Sequence, residues 1–398
     1  MSKEALREIK RLYGPLFREE LTERCAPFWF SGYDREHGGI MNCLDNAGNV
    51  YATDKGVWMQ GRTAWTYSEL YRTVAQNEDY LHLADSCLTF EERHCFDKDG
   101  RMLDTVTRAG EPVSKAEGSW FSETFYISGC AAYYRATGDN ARLGSARRLY
   151  KKVIKMYTGE EKDPYPGSVG FTTSRPTKAL CTPMILTNVT GIMRDADPEN
   201  ADFYNAVSDR LTKDIHAFYD EEHHVMRECV GLDGSFIDEC SDGRVVNPGH
   251  DLECSWFLLE EALYRGDESG KLFAKTVYDN AMRCGWDTEY GGLMYYRDAL
   301  GRPMELLDFD MRIWWAHCEG IIASLMMYKV FGEEKYAEDF KKITDYSFAR
   351  FSDREHGEWY GMLHRDGTPT LPPFKGHTYK GAFHVMRMLM KVLAMTEE

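Results

Sequence analysis

Apolar residues recur at i, i+3, i+4 and i+7 through four long stretches of the chain. These are 59-MQGRTAWTYSELYRTVAQ-76, 121-FSETFYISGCAAYYRATG-138, 251-DLECSWFLLEEALYRG-266 and 313-IWWAHCEGIIASLMMYKVFG-332. That period predicts helices with one face in a core. Three of the four stop on glycine, which adopts the left-handed backbone a helix C-terminus favours. Between such stretches a phrase recurs: an aspartate with charged neighbours, a Gly or His, a short alternating run, then a second turn carrying glycine. It reads 33-YDREHGGIMNCLDNAGNV-50, 96-FDKDGRMLDTVTRAGEP-112, 219-YDEEHHVMRECVGLDGSF-236, 286-WDTEYGGLMYYRDALGRP-303 and 352-SDREHGEWYGMLHRDGTP-369. Alternation between two turn signals predicts a short β-hairpin-like excursion.

The marker aspartates Asp34, Asp97, Asp220, Asp287 and Asp353 lie 63, 123, 67 and 66 residues apart. The long interval holds two units, and Asp163 in 163-DPYPGSVGF-171 falls where a sixth, degenerate copy belongs. A unit of about 66 residues has room for two helices and one excursion. Six such units predict an all-α fold, a single (α/α)6 barrel over residues 1–398 with the excursions at one end. An open helical solenoid is the rival; near-equal units without polar capping repeats favour closure. In a closed ring a site is built at the mouth where loops enter the inner helices. The search is therefore for polar residues at the N-terminal ends of apolar helices.

Composition narrows the function. Apolar residues at 43% and charged residues at 28% are ordinary for a soluble protein, whereas 13% aromatics is rich. The formal net charge of -16 disfavours nucleic acid and anionic membrane surfaces, which need a positive footprint. The 11 cysteines are scattered without a C-x-x-C pair or zinc spacing. The opening MSKEALREIKRLYGPL has no apolar segment of a secretory signal, and no apolar run approaches ~18 residues. A reduced, cytoplasmic protein with free thiols is expected.

Five stretches carry candidate chemistry. In 247-NPGHDLECSW-256, Asn247 suits an N-cap and Pro248 the first helical position, so His250 falls in the first turn. The positive helix end favours a neutral imidazole there, and Glu253 on the same face is placed to orient it. Taken alone, the position reads first as a capping histidine. In 374-FKGHTYKGAFHVMRMLMKVL-393, Lys380, His384 and Arg387 sit at i, i+4 and i+7, one helical face; a solvated basic face fits equally well. Arg62 opens an apolar helix beside Trp58 and Trp65, and its fork of donors suits sugar or oxyanion oxygens. Glu319 and His317 lie in 313-IWWAHCEGI-321, where one of Trp314 and Trp315 must face the ring axis. Trp120 and Glu123 complete the set. Each position also has a packing explanation, but all five occur at related phases of the repeat. Tryptophan faces stack on sugars, while carboxylates and arginine bind hydroxyls. No local transition-metal ligand set, phosphate loop or nucleophile elbow appears, which leaves metal-free acid/base chemistry on a polyol.

The chain resembles the N-acylglucosamine 2-epimerases over nearly its whole length. The resemblance rests on 36-EHGGIMNCLDNAGNVYATDKGVWMQGR-62, 133-YYRATGD-139, NPGH at 247–250, 314-WWAHCEG-320 and 379-YKGAFHVMR-387, in that order. It implies an (α/α)6 barrel and an isomerase interconverting N-acetylglucosamine and N-acetylmannosamine. The family's catalytic histidines correspond to His250 and His384, and its arginine in W-x-QGR to Arg62. Substrate contacts are expected from Arg62, Glu253, Glu319, Trp315, Lys380, Arg387, Trp58 and Glu123, with no metal. Two departures stand out: Met386 where the family usually has proline, and His317, which bears on substrate choice.

The implied reaction is deprotonation at C2 of the open-chain sugar by one histidine and reprotonation on the other face by the second. Arg62 steadies the enediolate. ATP is implied as an effector rather than a reactant, and a homodimer is the expected assembly. The similar cellobiose 2-epimerases and mannose isomerases supply one alternative. A glycoside hydrolase using Glu253 and Glu319 supplies another, and a non-enzymatic binding protein a third.

Overall fold

Short polar side chains and glycines decide where the helices begin and end. The computed structural model describes residues 3–115, 119–165 and 176–397. Its helices are α1 (Lys3–Glu19), α2 (Ala26–Phe30), α3 (Val57–Thr73), α4 (Glu78–His94), α5 (Phe121–Thr137), α6 (Asn140–Thr158) and α7 (Cys181–Ala196). There follow α8 (Ala201–His216), α9 (Pro248–Arg265), α10 (Glu268–Gly285), α11 (Trp314–Phe331), α12 (Glu334–Arg350) and α13 (His384–Glu397). Asn77, Asp139, Asn247 and Asp267 cap α4, α6, α9 and α10 by accepting from backbone N–H groups of the first turn. Gly138, Gly266 and Gly332 close α5, α9 and α11 in the left-handed conformation, as the glycine-terminated stretches predict. Among the described residues no helix is long and apolar enough to cross a membrane.

The chain divides into two compact units. One comprises Trp29–Asp214 with Gly376–Phe383; the other comprises Met1–Phe28, Ile215–Lys375 and His384–Glu398. In the first, α3 pairs with α4, α5 with α6, and α3 packs closely along α5. That approach needs glycine: a Cβ on Gly61 would lie 2.4 Å from the Phe125 carbonyl carbon. In the second, α9 pairs with α10, α11 with α12, and α13 with α1. α11 is buried from Trp314 to Tyr328 without a break, as befits an apolar helix enclosed on all sides.

The repeated phrase folds as expected. Tyr33 bridges Ile40, Phe96 bridges Met102, Trp286 bridges Leu293 and Ser352 bridges Trp359, while Tyr219–Asp220 pairs with Val225–Met226. Each marker aspartate accepts from backbone N–H groups of its own turn: Asp34 from Glu36 and His37, Asp287 from Glu289, Asp353 from Glu355. Each also holds a cation that the pattern did not predict. Lys55 sits on Asp34 (2.9 Å), Arg227 on Asp220 (2.6 Å), Arg312 on Asp287 (2.5 Å), Lys375 on Asp353 (2.6 Å) and Lys115 on Asp97. Lys55, Arg312 and Lys375 also donate to the carbonyl of the turn glycine, Gly38, Gly291 or Gly357. Asp163, the marker of the degenerate copy, accepts from Tyr165 N and Trp120 Nε1; residues 166–171 of that phrase lie outside the described residues.

Glu91 in α4 is fully buried, and no side chain among the described residues hydrogen-bonds either of its oxygens. Burial pushes its carboxyl well above the ordinary value of 4.5; Arg142 opposes this and Glu92 adds to it. The folded state therefore keeps a proton that the unfolded chain releases. Stability contributed at this site is complete below about pH 4.5 and declines as pH rises toward the raised value. Glu91→Gln removes that proton. Urea unfolding at several pH values should show the variant gaining on the parent by about 1 kcal/mol per pH unit across the interval. Curves that stay parallel would mean that Glu91 ionises freely.

Candidate active site

The first turn of α9 is set by its cap. Asn247 Oδ1 accepts from Gly249 N (3.1 Å) and His250 N (3.3 Å), and the preceding Val245–Val246 pairs with Arg297–Asp298. Gly249 is needed because a Cβ there would lie 2.7 Å from the Trp315 ring and 2.6 Å from Ala316 Cβ. The close seating brings the His250 ring to 5.0 Å, centroid to centroid, from Trp315 on α11. His250 Nδ1 lies 2.9 and 3.0 Å from the two oxygens of Glu228.

The second histidine opens α13. His384 Nδ1 lies 2.8 Å from Glu319 Oε1, and its ring is 6.1 Å from Trp315. The Trp256 indole donates to Glu319 Oε2 (2.9 Å). Arg387, one turn after His384, reaches Glu253 Oε1 (2.5 Å) and Glu319 Oε1 (2.7 Å). An ionised Glu319 can only accept, so its contact places the hydrogen of His384 on Nδ1 and makes Nε2 the candidate nitrogen for proton transfer. Two imidazoles thus flank one indole, each tied through Nδ1 to a carboxylate. His250, His384, Glu253, Glu319, Trp315 and Arg387, six residues expected from the sequence, meet within one unit.

Several expectations change. Glu253 does not orient His250: it is bound to Arg387, and Glu228 takes the imidazole instead. Nor does the helix end alone set the pKa of His250. Burial does disfavour the charged ring, but the charge and hydrogen bond of Glu228, reinforced by Glu253 and Glu319, outweigh it and hold the pKa above the ordinary 6.5. His317 does not face a substrate. Its Nε2 accepts from Leu293 N (2.9 Å), its Nδ1 donates to Ile313 O (2.8 Å), and burial lowers its pKa to about 3. It pins the fourth excursion to α11. Met386 lies buried in a regular first turn of α13, so the absent proline leaves the helix undisturbed.

Lys380 is not on the helical face of His384 and Arg387. α13 starts only at His384; residues 377–380 form a turn bridged between His377 and Lys380. Lys380 is buried in the other unit with its ammonium 5.2 Å from the Trp29 ring. Arg62, Trp58 and Glu123 also belong to that unit. The Arg62 guanidinium lies over Trp58 (4.6 Å), Phe125 (4.2 Å) and Phe383 (5.0 Å), a cage of rings around a largely buried cation. Glu123 Oε1 accepts from Arg101 Nε (2.7 Å) and Met102 N (2.8 Å), which makes it an anchor for the second excursion.

Glu253, Glu319 and His384 bring three donor atoms within 4.8 Å of one another, a set that could hold a divalent ion. Arg387 already bonds both carboxylates and supplies the positive charge, and Trp256 occupies the remaining Glu319 oxygen. The donor set fits a guanidinium better than a metal. Sequence reasoning missed Glu228 and Trp256. Glu228 lies 22 residues before His250, a separation with no helical or strand meaning.

Solved structures place the fold within the (α/α)6 barrels. A cellobiose 2-epimerase from Bacillus thermoamylovorans superposes with a TM-score of 0.84 over 96% of this chain and 99% of its own, at 21% identity. A D-mannose isomerase superposes with a TM-score of 0.83 over 95% of this chain and 97% of its own, at 18% identity. These matches establish the all-α (α/α)6 fold expected from the repeat. The sequence profile of the N-acylglucosamine 2-epimerase (GlcNAc 2-epimerase) family matches residues 38–387. The N-acylglucosamine 2-epimerase of Bos taurus is 34% identical over 388 residues, 94% of this chain and 88% of its own. The chain belongs to the N-acylglucosamine 2-epimerase family and is an enzyme of the isomerase class.

Proposed function

We propose that this protein inverts C2 of an open-chain N-acylhexosamine, interconverting N-acetylglucosamine and N-acetylmannosamine, with His250 and His384 as the two proton-transfer groups. The observation that carries this reading is the pair of imidazoles beside Trp315, at 5.0 and 6.1 Å, each with Nδ1 on a carboxylate. The C2 hydrogen is acidic because the adjacent aldehyde delocalises the charge left by its removal. One histidine takes it as a base. The other, protonated, returns a proton to the opposite face. The indole of Trp315 offers a flat apolar wall of the kind that sugar rings stack on. Positioned proton transfer contributes about 10²–10⁴-fold. The oxyanion of the enediolate requires donors as well, and the family resemblance assigns Arg62 to that task. ATP as an effector and a homodimer belong to the same proposal; turnover with and without ATP, and light scattering, test them.

The reading is tested in D2O with N-acetylmannosamine, N-acetylglucosamine, mannose and cellobiose, following C2 by NMR. Deuterium at C2 with appearance of the epimer from the N-acyl sugars is the expected result. Ketose formation would make the enzyme an aldose–ketose isomerase, which returns the proton to C1. Absence of exchange with every sugar would overturn the proposal.

A further inference from the structure

We infer that Glu228 is a positioning residue for His250, fixing the hydrogen on Nδ1 so that Nε2 is the reacting nitrogen. The inference rests on the reading that His250 transfers a proton at C2. Glu228 is held at the edge of the third excursion, where its backbone N–H donates to Val245 O (2.9 Å), two residues before the Asn247 cap. Strand edge and cap therefore fix carboxylate and imidazole together, and both carboxylate oxygens fall within hydrogen-bond reach of Nδ1.

Besides Glu228, the charges of Glu253 on α9 and Glu319 on α11 act on the ring, and Asp251 is its neighbour in the first turn of α9. Among the described residues Glu228 alone bonds the ring. Asp251 does not compete: it is 1% exposed, its Oδ1 has no partner, and burial together with the charge of Glu228 keeps its carboxyl protonated well above the ordinary range. The two histidines are unequal in this respect, because Glu319 is shared by His384, Arg387 and Trp256, whereas among the described residues Glu228 pairs with no cation other than the imidazole.

The test is a histidine titration by long-range ¹H–¹⁵N NMR, with His250→Gln to assign the signal. In the unaltered protein the neutral His250 ring should carry its hydrogen on Nδ1, a readout that needs no variant to fold. In Glu228→Gln the midpoint should fall by about one pH unit or more, as expected for loss of an adjacent opposite charge. A neutral ring with its hydrogen on Nε2, or a midpoint unmoved in Glu228→Gln, overturns the inference. Kinetics add a signature that a merely structural role would not give. His250 acts as base toward one epimer and as acid toward the other. Glu228→Gln should therefore move the acid limb of the kcat/KM–pH profile with one epimer and the alkaline limb with the other, both to lower pH. Profiles that drop without shifting count against it. The titration uses no substrate, so an enzyme that exchanges no sugar while His250 behaves as described would defeat the proposed function and leave the Glu228 pairing intact.

Discussion

Replacing His384 by asparagine will separate exchange from inversion. Asparagine is close in size and its amide can still donate to Glu319, so the buried carboxylate keeps a partner and the fold is spared. What disappears is the second proton-transfer group. His250 can still remove the C2 hydrogen of the epimer that presents it to that side and return deuterium to the same face. In D2O one epimer should therefore pick up deuterium at C2 without changing into the other. Net interconversion should fall by about 10²–10⁴-fold. The other epimer, whose hydrogen faces the missing imidazole, should exchange no faster than it inverts. An His384→Asn enzyme that interconverts the sugars at the parental rate would remove His384 from the chemistry.

The largest loss of stability is expected at Arg387. It is 2% exposed and bridges Glu253 and Glu319, themselves buried, while its guanidinium packs 5.1 Å from the Trp256 ring. Arg387→Met keeps much of the apolar volume and leaves two carboxylates without their cation. Breaking a buried pair from one side costs about 3–5 kcal/mol. The deficit should shrink as pH falls, because the stranded carboxylates bind protons more tightly in the folded state than in the unfolded one. Adding Glu253→Gln should recover part of the loss, since one of the two stranded charges is then gone. Chemical denaturation of the single and double variants measures both effects. A single variant as stable as the parent at neutral pH would mean that these carboxylates do not depend on Arg387.

What could be read from the sequence was what the chain encodes locally. The helical period, the glycine stops and the Asn247 cap each depend on residues within one or two turns, and the structure has them where the pattern puts them. The pairing of His250 with His384 was different. The two are 134 residues apart, and nothing in spacing joins them; the family resemblance did. Partners across helices were not legible at all. The pattern gave Glu253 to His250 because they share a helical face, yet Arg387 from α13 holds Glu253. The expectation that the helix end governs the charge of His250 misjudged the magnitudes. A helix terminus is worth about 0.3–1 kcal/mol at its first turn, whereas a carboxylate at 2.9 Å is a full charge in direct contact. Lys380 was misplaced by counting helical phase back through Gly381, where the helix has not yet begun.

The cations seated on the marker aspartates change what the excursions can tolerate. Each clasp joins a side chain to a turn, so the stretch between the two halves does not set its geometry. Arg227 follows Asp220 by 7 residues, whereas Arg312 follows Asp287 by 25, and both ion pairs close. A loop fastened in this way can lengthen or shorten between its fastenings while its ends stay fixed on the helices, and the entropic cost of extra residues grows only slowly. The excursions are therefore where this scaffold can accept inserted sequence, and with it a reshaped rim, without moving the histidines at the ends of α9 and α13.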